Sequence, residues 1–155
     1  MKYFYLITLL FLSINSFSQE ETQKAIIVSS DSLNGKEIDV PFSIIEDIPL
    51  APGCESVEKN KRMECFNVFM TEHIKKHFKY PNAAARKNIQ GKVFVTFLID
   101  KEGFVEKIET KGGHALLRKE AFRIIDKLPK FIPGYQKGKP VKVRYGLPIT
   151  FRLTK

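Results

Sequence analysis

Val93-Phe94-Val95-Thr96-Phe97-Leu98-Ile99-Asp100-Lys101-Glu102-Gly103-Phe104-Val105-Glu106-Lys107-Ile108-Glu109-Thr110 decides how the chain is built. Val93, Val95, Phe97 and Ile99 alternate with Phe94, Thr96 and Leu98, the two-residue period of a strand. Asp100, Lys101, Glu102 and Gly103 then supply a turn, and residues 104–110 return with Val105 and Ile108 set among Glu106, Lys107 and Glu109. The outgoing strand is apolar on nearly both sides, which predicts a central place in a sheet. Lys111-Gly112-Gly113 ends the return strand.

Helical periods flank this hairpin. Upstream, Cys65, Phe66, Phe69, Met70, His73, Ile74, His77 and Phe78 recur every three or four residues, one apolar helical face that should end near Lys79-Tyr80, because Pro81 disfavours helical geometry in the residue before it. Pro81 opens a second short helix over 81–87 with Ala83, Ala84 and Ala85, and Asn88 and Gly91 supply its exit. Downstream, residues 115–128 read as an amphipathic helix with Leu116, Leu117, Ala121, Ile124, Ile125 and Leu128 inward. Arg118, Lys119, Glu120, Arg123 and Lys127 face water, and Pro129 stops the helix.

Residues 131–135 read as a packed turn, and a last strand runs over 141–153. Pro148 inside that strand predicts either an interruption or an unpaired edge, since proline has no N–H to donate. The order helix, strand, strand, helix, strand gives an α+β fold: a small antiparallel three-stranded sheet with two main helices packed on one face.

The N-terminal part reads differently. Met1-Lys2, an apolar run over 3–12 and Ser16 and Ser18 ahead of Gln19 form a secretory signal over 1–18; if it is not cleaved, the alternative is an inner-membrane anchor. Residues 19–61 are an extension containing a short strand at 25–28, a turn-rich stretch at 29–36 and an extended piece at 40–48 bounded by Pro41 and Pro49. This extension is either tied to the domain by a cysteine loop or partly disordered. In an exported chain an isolated pair such as Cys54 and Cys65 reads as a disulfide, worth about 2–4 kcal/mol. Lys+Arg 26 against Asp+Glu 17 leaves a formal charge of +9, a basic surface suited to an acidic partner, a phosphate-rich glycan or an anionic membrane; export excludes ordinary nucleic-acid binding.

The run Tyr80-Pro81-Asn82-Ala83-Ala84-Ala85-Arg86-Lys87-Asn88-Ile89-Gln90-Gly91-Lys92-Val93 resembles the signature of the TonB C-terminal domain family. The likeness continues through Val95-Thr96-Phe97, Ile99-Asp100-Lys101-Glu102-Gly103, Leu117, Glu120-Ala121, Pro129-Lys130-Phe131-Ile132-Pro133-Gly134 and Val143-Arg144-Tyr145-Gly146-Leu147-Pro148-Ile149-Thr150-Phe151. It spans 62–155, the expected domain. The stretch from Val40-Pro41-Phe42 to Pro52-Gly53-Cys54-Glu55, followed by Cys65, is similar to what precedes this domain in TonB-like proteins of the Bacteroidota. That supports the disulfide and a periplasmic setting.

The resemblance implies a binding module and no enzyme, docking an extended segment of a TonB-dependent outer-membrane receptor, or another envelope protein, by strand addition in transmembrane transport. It places partner binding on Lys142, Arg144, Tyr145, Gly146, Leu147, Pro148, Ile149 and Thr150, with Tyr80, Pro81, Ala85, Arg86, Gln90 and Gly91 as structural motif. The sequence departs from a full transducer in carrying no Pro-x-Pro spacer. The alternative is a self-associating structural or adaptor protein of the envelope, whose edge takes a second copy to form a homodimer.

Catalytic readings find little. His73 and His77 lie one helical turn apart without a His-Glu-x-x-His pattern, so no metal is expected. A disulfide leaves Cys54 and Cys65 no thiolate. Ser43 and Ser56 lack a nucleophile elbow, and Lys111-Gly112-Gly113-His114 lacks the rest of a phosphate loop. Neither a cofactor nor a small-molecule substrate is expected.

Overall fold

A computed structural model of the protein describes residues 39–153. The expected signal peptide, the strand at 25–28 and the turn-rich 29–36 lie outside the described residues. In chain order the elements are β1 (Val40–Pro41), a 3-10 turn (Lys59–Lys61), α1 (Arg62–His77), α2 (Asn82–Arg86), β2 (Gly91–Ile99), β3 (Val105–Lys111), α3 (Ala115–Ile125), β4 (Gly134–Gln136), β5 (Lys139–Val141) and β6 (Val143–Phe151). Among the described residues, no helix is long and apolar enough to cross a membrane.

The hairpin forms as its alternation predicts. Asp100 closes the turn: its Oδ1 accepts the N–H of Glu102 at 3.0 Å and of Phe104 at 2.7 Å. Gly103 sits at φ +92°, and a Cβ there would lie 1.9 Å from the Phe131 carbonyl oxygen. Only glycine fits, because the Phe131 N–H donates to the Gly103 carbonyl at 2.9 Å and draws the two backbones together.

β2 is central, with β3 on one side and β6 on the other, both antiparallel. These are the three expected strands, but the sheet has a fourth. β1 pairs in parallel with β6, Val40 opposite Val143 and Pro41 opposite Arg144, so the order is β1-β6-β2-β3 and the sheet is mixed. The expected three-stranded antiparallel count is corrected accordingly. The 131–135 turn is also more regular than expected. β4 and β5 form a separate hairpin, and the single run predicted over 141–153 is split at Lys142.

The core lies between one face of the sheet and the helices. Val93, Val95, Phe97 and Ile99 of β2 meet Leu117, Ala121, Ile124 and Ile125 of α3, Phe66 and Met70 of α1, and Val143, Ile149 and Phe151 of β6. Each large side chain so buried contributes about 1.5–3 kcal/mol. Phe94, on the opposite face, is left half exposed. His114 caps α3 by accepting the Leu116 N–H on Nδ1 at 3.2 Å, and the helix ends at Ile125, three residues before the expected 128.

Glu120 corrects its predicted exposure: it is buried. Its Oε1 accepts the Lys79 N–H at 2.9 Å, and Arg123 grips both carboxylate oxygens while Arg123 Nη2 donates to the His77 carbonyl. This charged pair fastens the end of α1 to α3. The lead, too, packs onto the domain. Asp47 bridges to Tyr135, Leu50 bridges to Ile132, and Cys54 is bonded to Cys65 across 11 positions.

Candidate functional site

β6 has two sides with different partners. Toward β2 it is paired along its whole length, from Val143 opposite Ile99 to Phe151 opposite Gly91. Toward β1 it is paired only at its start: the Val40 N–H donates to the Lys142 carbonyl at 2.8 Å and the Phe42 N–H to the Arg144 carbonyl at 3.0 Å.

Backbone groups in a strand alternate between its two sides, so the residues that share Arg144's direction are Gly146, Pro148 and Thr150. β1 ends before reaching them. Gly146 and Thr150 therefore turn an N–H and a C=O outward, and Pro148 a C=O alone. Of the two readings of Pro148, the unpaired edge holds, and β6 runs through it without a break. Opposite Phe94, Pro148 occupies a position where β2 asks for no donor.

Side chains alternate in the same way. Arg144, Gly146, Pro148 and Thr150 are exposed, whereas Val143, Ile149 and Phe151 are buried and Tyr145 and Leu147 half-buried. The Tyr145 ring lies 4.7 Å from Phe42, 5.0 Å from Phe66 and 5.6 Å from Phe97, and burial pushes its phenol above the usual tyrosine value. Gly146 has no room for a side chain without shifting Thr96, whose Cγ2 would be 3.2 Å from a Cβ. Where β1 stops, a cavity of about 420 Å³ opens between Pro41, Phe42, Met63, Arg144, Tyr145 and Gly146.

Charge sits at the covered end. Lys142 Nζ pairs with Glu106 at 3.0 Å, and Arg144 pairs with Asp39. Burial opposes ionisation of Asp39, but its own backbone amide, the Arg144 guanidinium and Lys107 outweigh it and hold the carboxyl below the ordinary aspartate value. Arg144 is 50% exposed, so this ion pair is worth at most about 1 kcal/mol. Each backbone bond between β1 and β6 adds about 1 kcal/mol.

The motif residues support the strand and do not line its edge. The Tyr80 hydroxyl donates to the Ile89 carbonyl at 2.7 Å, Pro81 leads into α2, and the Ala85 N–H donates to the Pro81 carbonyl at 2.9 Å. Gln90 Oε1 accepts the Leu153 N–H at 2.9 Å, fastening the far end of β6, and Gly91 pairs with Phe151. Arg86 is exposed at the end of α2.

The His73 and His77 rings lie tilted against each other with centroids 4.5 Å apart, and His73 Nε2 lies 2.9 Å from the Ile124 carbonyl, a tie between helices. Desolvation, then the neighbouring His73, Lys127, Lys76 and Arg123, hold His77 below the usual histidine value. Among the described residues no group of three metal-ligating side chains occurs.

Sequence reasoning missed Asp39 and Phe42 as companions of the terminal strand. The available signal was a β-branched residue followed by a proline, Val40-Pro41, a pattern suited to the outermost strand of a sheet.

Residues 76–153 match the family model described as the Gram-negative bacterial TonB protein C-terminal. Two solution structures of the Helicobacter pylori TonB C-terminal domain are similar. The one covering its residues 179–285 is 22% identical, with a TM-score of 0.47 over 65% of this chain and 88% of that one. The one covering 194–285 is 24% identical, with a TM-score of 0.44 over 58% and 96%. No curated protein matches the chain.

Proposed function

The chain belongs to the family of the Gram-negative bacterial TonB protein C-terminal, and from that premise we propose that it is a periplasmic binding module that docks an extended segment of a TonB-dependent outer-membrane receptor. Residues 1–18 deliver it across the inner membrane and residues 62–155 form the docking domain. The observation that carries this reading is the unpaired side of β6 beyond Arg144, at Gly146, Pro148 and Thr150. An exposed strand side offers ready backbone partners to another extended segment, and neighbouring side chains add selectivity. The module performs no chemistry; it transmits contact.

The test is a titration of the full chain with a purified TonB-dependent receptor of the same organism, with and without the receptor's N-terminal extended segment. The substitution Thr150→Pro removes one outward N–H and no bond to β2. Wild type should bind the intact receptor and not the truncated one, and Thr150→Pro should weaken binding by about tenfold, the equivalent of one hydrogen bond at the upper end of its range. Binding that ignores both changes sinks the reading. Concentration-dependent dimerisation abolished by Thr150→Pro, without receptor binding, would establish the self-associating alternative.

A further inference from the structure

β1 lies on the same side of β6 that the proposed function assigns to a partner. It covers the start of that side, and the chain then turns away: the Ile44 N–H donates to the Pro41 carbonyl at 3.1 Å, and Ile44 stands 70% exposed. Its hold is short in length but varied in kind. Backbone hydrogen bonds, among them those donated by Val40 and Phe42, fix the register, Asp39 meets Arg144, and Phe42 packs against Phe66 and Tyr145 with ring centroids at 4.7 Å in each case.

Pro41 makes this arrangement a stopper as well as a strand. Val40 and Phe42 direct their N–H groups at β6, so position 41 faces away from the sheet, and there proline has no N–H to give. A further strand laid outside β1 meets a missing donor at Pro41, the second of its two residues. Pairing outside β1 is weakened there, which favours contact with β6 itself.

What β1 leaves free is small. Beyond Arg144 the outward groups are those of Gly146, Pro148 and Thr150, and one of the three lacks its donor. The carbonyls of Lys142 and Arg144, already accepting bonds, are the rest of the acceptor row.

Building on the docking reading, we propose that residues 39–42 are the resident occupant of the β6 edge and that a receptor segment docks by exchanging with them. β1 then describes what the edge accepts: an extended segment with a carboxylate at the place of Asp39, facing Arg144, a β-branched residue at the place of Val40, and an aromatic side chain two positions on. Phe42 occupies the wall of the cavity at Tyr145 and Gly146, so its departure enlarges the socket that the incoming side chain enters.

The exchange is tested on the full chain with a labelled synthetic peptide copying residues 36–43 and with a purified TonB-dependent receptor. Asp39→Lys sets a like charge against Arg144, and Val40→Pro removes the donor to Lys142 without altering charge; both are checked for unchanged thermal unfolding of the domain. The peptide is expected to bind each variant about tenfold more tightly than wild type, shifting the amide resonances of Arg144 and Gly146, and the receptor is expected to show the same order. A peptide that binds all three proteins alike, or none of them, overturns the resident-strand proposal. A receptor that binds wild type and both variants equally overturns exchange and leaves docking at the free stretch standing. A receptor that binds none of them, while the peptide prefers the variants, removes the docking reading and leaves the resident strand in place.

Discussion

The two sides of β6 have the same backbone and opposite roles. Nine residues pair toward β2, and every other residue there sends its side chain into the core. Toward β1 two residues pair, and Arg144, Gly146, Pro148 and Thr150 are exposed. One strand thus holds the domain together with one side, and the other is the side that the exchange proposal gives to a partner. Alternation is what separates the roles: a change at an odd position is felt by the fold, and at an even position by whatever lies outside.

The sharpest way to break the comparison is to place the same residue on each side. Leu147→Pro removes an N–H directed at Val95 and should cost more than about 3 kcal/mol, read as a fall in the urea midpoint at unchanged slope. Opening the Cys54–Cys65 disulfide by Cys54→Ser with Cys65→Ser should cost about 3 kcal/mol in the same assay and loosen the lead while the β2–β6 amides keep their exchange protection. Thr150→Pro, on the outer side, should cost less than about 1 kcal/mol.

The smallest effect is that of acid. The Asp39 carboxyl titrates below its ordinary value, so its ionised form stabilises the docked β1. That contribution is complete above the ordinary aspartate value of about 4 and disappears as pH falls through the depressed value. The Val40 and Phe42 amide resonances should therefore stay constant from pH 8 to 5 and shift only below about pH 4. A shift near neutrality would mean that another group governs β1.

Local pattern made much of this legible. The alternation of Val93, Val95, Phe97 and Ile99 located β2 and its central place, Asp100 and Gly103 located the turn, and Pro148 narrowed its strand to an interruption or an unpaired edge. The family signature around Tyr80-Pro81 and Gln90-Gly91 pointed to the same domain. What escaped was either non-local or compensated. β1 has two residues and takes its partner about a hundred positions away, so no period reveals it. β4 was hidden by Pro133 and Gly134, read as turn formers, whereas Gly134 is buried where a Cβ would lie 2.7 Å from both Ile45 and Val143. Glu120 has the composition of a surface residue, and its burial depends on Arg123 and the Lys79 N–H, neither of which a helical wheel displays. The residues proposed for docking came from resemblance; the backbone adds which of them face outward.

The bridges at Asp47 and Leu50 fasten the chain a few residues after β1. A strand on so short a tether is presented to its site at an effective concentration on the order of millimolar. Under the exchange proposal any outside segment competes against that figure and not against an empty edge, so casual extended peptides in the same compartment would be rejected. A partner succeeds when its own attachment elsewhere raises its local concentration to a comparable level. The short loop between β1 and the first bridge thereby sets a threshold for engagement, and lengthening it would lower that threshold.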